Sequence, residues 1–145
     1  MHDQAGNEPV NILVVDDDRI CREGIKRALR KAKVDKPVFE ASNGFEALEC
    51  LQGRNGKEPI PGPYTILLDL NMPQMTGHEF LERLRDDPEL RHANVFVITT
   101  SQNETDMRKC YEKNAAGYVL KSPGPSPFSD LGRMLYKYYQ VVKLA

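Results

Sequence analysis

Apolar residues along the chain fall into two patterns, short continuous runs and longer stretches with helical spacing. Short apolar runs rich in β-branched residues predict strands that are buried on both faces. Apolar residues three and four positions apart predict amphipathic helices. The five predicted strands are residues 11–15, 38–41, 64–68, 95–99 and 118–120. A predicted helix follows each of them, so the chain repeats a strand and a helix five times.

Capping residues mark where several predicted helices begin. Asp18 is expected to cap the first helix. Three later pairs have the spacing of a capping box, namely Asn43 with Glu46, Thr76 with Glu79, and Ser101 with Glu104. The apolar side of the first helix consists of Ile20, Gly24, Ile25, Ala28, Leu29 and Ala32. The last helix, predicted from Phe128 onward, has a core stripe of Leu131, Leu135, Tyr138 and Val142, with Met134, Tyr139, Val141 and Leu144 partly off it.

The alternation of strands and helices is typical of an α/β fold, in which helices cover both faces of a parallel sheet. Right-handed crossovers turn five such units into a doubly wound sheet. Ligands in such sheets bind outside the carboxyl ends of the strands. The residues at those ends are therefore the candidate functional residues.

Charged and hydroxyl side chains mark four of the five strand ends. Asp16 and Asp17 follow the first strand, Asp69 the third and Lys121 the fifth, while Thr99 ends the fourth. Several carboxylates at one edge repel each other, and a hard divalent cation such as Mg²⁺ relieves the repulsion. Lysine and threonine side chains suit an added anion. Each residue alone has an ordinary explanation as a turn, strand or surface residue, but the joint pattern predicts a metal and anion site.

Composition narrows the class of protein. The 145 residues are enough for one ordinary domain, expected to span residues 10–145 after a frayed segment at 1–9. With 40% hydrophobic and 28% charged residues, the chain is typical of a soluble globular protein. A formal net charge of −1 argues against broad nucleic-acid binding. The apolar runs are too short to span a bilayer, and the N-terminus has no secretory signal.

The positions of the cysteines and histidines argue against a zinc site, a redox motif and a histidine-based mechanism. Cys21, Cys50 and Cys110 form no Cys-x-x-Cys pair, which argues against a zinc or redox motif. Reduced thiols of this kind are expected in a cytoplasmic protein. The three histidines lie in different segments, away from any nucleophile motif, so a histidine-based mechanism is not expected.

Four segments resemble the receiver domain of two-component response regulators. They are residues 12–18 (ILVVDDD), 66–73 (ILLDLNMP) with Gly77, 97–101 (VITTS) and 115–121 (AAGYVLK). Within the family, the chain looks most like the single-domain regulators of bacterial phytochromes. The features that suggest this are the DLNMPQMTGHEFLERLRDDPELR stretch, the TTS at the end of the fourth strand and the long Gly/Pro loop at 53–63. The resemblance implies a flavodoxin-like sheet with strand order 2-1-3-4-5 and five helices.

The resemblance also implies roles for individual residues. Asp69 matches the position that accepts a phosphoryl group from a sensor histidine kinase. The metal ligands for Mg²⁺ are implied at Asp16, Asp17, Asp69 and Asn71. Thr99 and Lys121 match the residues that contact the phosphoryl group, and Tyr118 matches the aromatic switch residue. The implied protein is a phosphoacceptor and not an enzyme with an external substrate, and it carries no attached output domain. A homodimer through the fourth helix, fifth strand and fifth helix is the expected interaction.

One position departs from the family pattern. Receiver domains usually have proline directly after the lysine, with a cis peptide bond between the two. Here Ser122 follows Lys121, and a cis bond before a non-proline residue costs about 2.5–4 kcal/mol. Either this bond is cis and held by the site, or the loop runs differently.

Three other kinds of protein share parts of this pattern. A phosphatase with an aspartyl nucleophile typically needs a second Asp at the position of Asn71. A flavodoxin-type flavin-binding domain needs a phosphate loop after the first strand, where three Asp residues would repel the phosphate. A receiver that has lost phosphorylation is opposed by the intact set of Asp17, Asp69, Thr99 and Lys121.

Overall fold

The computed structural model describes residues 9–144 as one parallel sheet with helices on both faces. The strands are β1 (Asn11–Val15), β2 (Val38–Ala41), β3 (Tyr64–Leu68), β4 (Asn94–Thr99) and β5 (Gly117–Leu120). The helices are α1 (Arg19–Lys31), α2 (Gly44–Gln52), α3 (Gly77–Asp86), α4 (Glu104–Glu112) and α5 (Ser129–Val141). The strand order β2-β1-β3-β4-β5 confirms the predicted doubly wound α/β fold with five helices. The segment predicted to fray, residues 1–9, lies outside the described residues except for Pro9, which is exposed.

Two apolar layers hold the sheet in place. Alternate side chains of the central strands point to opposite faces, as the period of a strand requires. Leu13 and Leu68 belong to the layer that α2, α3 and α4 cover, whereas Ile12 and Leu67 belong to the layer that α1 and α5 cover. All four side chains are almost completely buried. The central strands therefore read as continuous apolar runs because both of their faces are covered. Within residues 9–144, no helix is both long and apolar enough to cross a membrane.

The prediction of which residues form the apolar side of α1 is correct in the centre of the helix and wrong at its start. Asp18 caps the helix as predicted, since its side chain accepts a hydrogen bond from the backbone N–H of Ile20. Ile25 and Leu29 are buried, but the Ile20 side chain is 81% exposed. Ile20 and Ile25 are five positions apart, which places the two side chains about 140° apart around the helix axis. Cys21, one residue further along, packs against the core instead.

The predicted capping box at α3 is confirmed. The one predicted at α2 is present in only one of its two hydrogen bonds. Thr76 and Glu79 each accept a hydrogen bond from the other's backbone N–H. Asn43 caps α2 by accepting from the backbone N–H of Glu46. The Glu46 carboxylate, however, accepts from the backbone N–H of Ser42, at 2.6 Å, so the returning bond is displaced by one residue.

The capping box predicted for Ser101 and Glu104 is wrong. The N-cap of α4 is Asn103, whose side chain accepts hydrogen bonds from the backbone N–H groups of Thr105 and Asp106. Asparagine caps helices as well as serine does, and here it lies directly before the first helical residue. The Ser101 hydroxyl is left to bond the carboxylate of Asp106.

The core side of α5 differs from the predicted stripe at its C-terminal end. Leu131 and Leu135 are buried as predicted, but Tyr139 is the buried tyrosine, at 4% exposure, and Tyr138 is half-buried. The Tyr139 hydroxyl donates to the Thr65 hydroxyl across 2.6 Å, which satisfies its polar end inside the core. Val142 is only half-buried. The second apolar region predicted on this helix is therefore smaller than expected.

Gly132 allows α1 and α5 to pack closely, and its replacement provides a test of this contact. A Cβ atom at position 132 would lie 2.6 Å from the backbone oxygen of Ala28. Gly132→Ala should therefore destabilise the protein, because overpacking against a backbone costs about 1–3 kcal/mol and exceeds the helix-propensity gain of about 1 kcal/mol. Urea unfolding measures the difference, with Gln140→Ala on the exposed side of α5 as the control. Equal stability of wild type and Gly132→Ala would contradict the close contact.

Candidate functional site

The carboxyl ends of β1 and β3 bring three carboxylates together. Val15 is paired with Leu68 in the sheet, so the next residues, Asp16 and Asp69, leave adjacent strands side by side. The backbone N–H of Asp69 donates to the Val15 oxygen at 2.9 Å and continues the ladder into the site. One carboxylate oxygen from each of Asp16, Asp17 and Asp69 lies within 4.8 Å of the others. The predicted acid cluster is thus present.

The acid cluster is electrostatically unfavourable without a cation. Burial raises the pKa of Asp69 to about 6, and the negative charge of Asp16 adds to the effect. Burial also raises the pKa of Asp16, although a hydrogen bond from the backbone of Asp18 opposes the rise. Oxygen ligands in a cluster of like charge are the preferred environment of hard divalent cations. The residues therefore fit a divalent metal ion.

The loop after β3 places Asn71 next to the cluster and joins it to α3. The Asn71 side chain is exposed, and its backbone N–H hydrogen-bonds the Asp69 carboxylate and opposes the rise in the pKa of Asp69. Gly77 begins α3 in contact with this loop, and its backbone N–H donates to the Leu70 oxygen at 2.9 Å. A Cβ atom at position 77 would lie 2.6 Å from the backbone oxygen of Asp69. Only glycine allows this approach.

Lys121 brings a positive charge to the cluster from the end of β5. Its ammonium nitrogen lies 3.8 Å from Oδ2 of Asp16 and 3.8 Å from the Cys21 sulfur. The positive charge of Lys121 lowers the pKa of Asp16 and of Asp69, against the larger effect of burial. The peptide bond between Lys121 and Ser122 is trans, so the loop runs differently from the family pattern. Ser122 closes that loop with a hydrogen bond of 3.2 Å from its backbone N–H to the Pro127 oxygen.

Thr99 and Tyr118 are both hydrogen-bonded to Ser101. The Thr99 side chain is fully buried at the end of β4, and its hydroxyl oxygen accepts from the backbone N–H of Ser101 at 3.1 Å. The half-buried Tyr118 donates its hydroxyl to the backbone oxygen of Ser101 at 2.9 Å. The residues implied as the phosphoryl contact and the switch are therefore connected through one loop residue.

Two further residues near the site have no signal in the sequence. Asp106, in the first turn of α4, accepts a hydrogen bond from the Ser101 hydroxyl at 2.7 Å, and His78 Nε2 lies 3.0 Å from its other oxygen. The hydrogen bond from Ser101, followed by the one from His78, lowers the pKa of Asp106. His78 and Asp106 are 28 residues apart in the chain. No local spacing rule relates them, so only the fold shows the pair.

Comparison with known sequences identifies the family. Residues 12–130 match the sequence profile of the response regulator receiver domain. The chain is 34% identical over 122 residues to the response regulator Rcp1 of Synechocystis sp., which covers 84% of this chain and 82% of Rcp1. The profile match begins at the second residue of β1 and ends at the second residue of α5.

Solved structures are similar over nearly the full length. The Mn²⁺-bound form of Rcp1 has a TM-score of 0.83 at 30% identity, covering 94% of this chain and 99% of that one. The phosphorylated cyanobacterial phytochrome response regulator RcpA has a TM-score of 0.78 at 28% identity, covering 92% and 96%. The bacteriophytochrome response regulator AtBRR has a TM-score of 0.75 at 29% identity, covering 95% and 96%. The chain therefore belongs to the response regulator receiver domain family, signalling proteins that act with histidine kinases, and resembles the phytochrome response regulators within it.

Proposed function

We propose that a sensor histidine kinase transfers a phosphoryl group to Asp69. The observation that carries the proposal is the position of Asp69, buried at the end of β3 within 4.8 Å of two further carboxylates. The nearby ammonium group of Lys121 supplies a positive charge on the same edge of the sheet. The similarity to phytochrome response regulators makes a bacteriophytochrome the proposed class of kinase.

The transfer requires positioning more than bond activation. A carboxylate oxygen of Asp69 forms the new bond to phosphorus while the bond from phosphorus to the histidine nitrogen breaks, and the imidazole keeps the electron pair. The transition state is loose, so charge neutralisation and in-line placement contribute most of the catalysis. Asp16, Asp17, Asp69 and the backbone carbonyl of Asn71 would hold Mg²⁺, and the bound ion would supply part of that neutralisation.

Lys121 and Thr99 receive the phosphoryl oxygens in this proposal. The Lys121 ammonium group is held at the edge of the cluster by Asp16 and is available as a point charge. The Thr99 hydroxyl oxygen accepts from the backbone N–H of Ser101, and a hydroxyl that accepts can also donate its hydrogen to a phosphoryl oxygen. Tyr118, bonded to the same loop residue, then responds to a change at Thr99.

The product is a mixed anhydride that hydrolyses in time, so the signal is transient and no external substrate is turned over. We propose that residues 10–145 act as one receiver unit in the cytoplasm, without a nucleic-acid or membrane partner. The net charge of −1 supports the proposal that the chain does not bind nucleic acid. The three cysteines are free thiols, which supports a reducing compartment.

The output surface proposed is the face formed by α4, β5 and α5, through which two copies of the chain form a homodimer. Four large apolar side chains on these elements are exposed, namely Tyr111, Leu120, Tyr136 and Val141. Clustered exposed apolar side chains commonly mark a protein interface. A change at Tyr118 on β5 has a short path to this surface.

Phosphorylation of Asp69 can be tested with acetyl phosphate and Mg²⁺ followed by intact mass measurement. We expect one added phosphoryl group on wild type and none on Asp69→Asn. Lys121→Ala should accept the group more weakly, because one of the neutralising charges is lost. Labelling that persists in Asp69→Asn would show that the acceptor is another residue.

The repulsion in the acid cluster predicts that Asp69→Asn stabilises the metal-free protein in a pH-dependent way. Asp69 holds its proton more tightly when folded, so the wild type loses stability as the pH rises from about 4 to about 6. The variant avoids this loss and should be more stable above pH 6 by about 2–3 kcal/mol, but not at pH 4. Urea unfolding in EDTA measures the difference, with the exposed Asp35→Asn as the charge control. Adding Mg²⁺ should reduce the stability difference between the variant and wild type. A difference that does not change with pH would show that the raised pKa of Asp69 is not its cause.

The homodimer can be tested by sedimentation at tens of micromolar, with and without beryllofluoride. We expect a dimer that Leu120→Asp disrupts, because a buried unpaired charge in an interface is costly. Phe45→Asp on α2, also an exposed apolar residue but outside this surface, should have no effect. A monomer under both conditions would exclude the dimer.

A further inference from the structure

Ser101 is the residue at which the hydrogen bonds of the β4–α4 loop meet. Its backbone N–H donates to the Thr99 hydroxyl oxygen, and its backbone oxygen accepts from the Tyr118 hydroxyl. Its own hydroxyl accepts from the backbone N–H of Asn103 at 3.2 Å and donates to Asp106 at 2.7 Å. Ser101 therefore contributes a hydrogen bond to the placement of both the Thr99 and the Tyr118 hydroxyls.

Asp106 is the residue through which these hydrogen bonds are attached to α4. It lies in the first turn of α4, where the Asn103 side chain caps the helix and accepts from the backbone N–H of Asp106 itself. A carboxylate near a helix N-terminus is favoured by the exposed N–H groups there. The bond from Ser101 is short and involves a charged acceptor, the stronger class of hydrogen bond. Asp106 can thus hold the loop against the body of α4.

The second oxygen of Asp106 connects the loop to the opposite side of the site. His78 Nε2 lies 3.0 Å from this oxygen, and His78 follows Gly77, whose backbone contacts the Asp69 loop. The carboxylate is therefore bound on one side by the loop that carries Thr99 and on the other by the first turn of α3. A single side chain bridges the two segments that flank the acceptor.

We infer that Asp106 is a positioning residue for phosphoryl binding, which orients Ser101 so that the Thr99 and Tyr118 hydroxyls are ready for the modified acceptor. This inference rests on the proposed function, because Thr99 is taken to contact the phosphoryl group. Asp106 itself touches neither the acid cluster nor the phosphoryl group in this role. His78 supports the carboxylate from α3 and has the smaller effect.

The test measures beryllofluoride affinity in the presence of Mg²⁺ by ¹⁹F NMR, on protein labelled with 3-fluorotyrosine so that Tyr118 is observed in the same spectra. Asp106→Ala and Ser101→Ala should each weaken beryllofluoride binding by about 3–10-fold and shift the Tyr118 resonance. The double variant should bind beryllofluoride as tightly as the single variant with the lower affinity, because both substitutions remove the same hydrogen bond. Ser101→Thr, which keeps the hydroxyl, should restore most of the affinity.

Glu104→Ala is the matched control, since it removes an exposed carboxylate from the same turn of α4. Wild-type affinity and an unchanged Tyr118 resonance in Asp106→Ala and Ser101→Ala would overturn the inference. An equal loss in Glu104→Ala would also overturn it, because charge alone would then explain the effect. Failure of the wild type to bind beryllofluoride would instead contradict the proposed function, while the Tyr118 resonance of the unmodified protein would still test the position of Asp106.

Discussion

Two buried carboxylates at the ends of neighbouring strands are the constraint on which the rest of the site depends. The pairing of Val15 with Leu68 leaves Asp16 and Asp69 adjacent, and burial makes their negative charges costly to hold together. The sheet supplies Lys121 from β5 as partial compensation. A divalent cation would neutralise the negative charge that Lys121 leaves uncompensated. Under the proposed function, an added phosphoryl group would need positive charge from both Lys121 and the cation.

The fold stabilises this costly arrangement with an apolar core on each side of the sheet. Hydrophobic burial is the main favourable contribution to folding, and here it is concentrated in the central strands, which end at the acid cluster. Close backbone contacts then fix the surrounding helices, as at Gly132 between α1 and α5. The acidic residues are thus held by parts of the molecule that do not depend on their charge.

Much of this arrangement could be predicted from the sequence because it depends on local patterns. Apolar runs identify the strands, and the polar residue after each run identifies the site edge. The errors occurred where two neighbouring residues compete for one role. Asn103 rather than Ser101 caps α4, and Tyr139 rather than Tyr138 enters the core. Which tyrosine is buried depends on how α5 is rotated against α1, and this rotation is a property of tertiary packing.

The pair of His78 and Asp106 could not be predicted, for a different reason. Each residue lies on its own helix near a capped start, where charged and polar side chains are ordinary. Their contact follows from the placement of α3 beside α4, and that placement depends on the whole sheet.

Gly77 has a mechanical consequence for the receiver. Its missing side chain leaves the backbone of α3 in direct contact with the backbone that carries Asp69. Flexible side chains absorb small displacements by changing rotamer, but two backbones in contact cannot. A displacement of the Asp69 backbone is therefore passed to the first turn of α3 with little loss. We therefore expect residues 69–77 to move as one stiff unit.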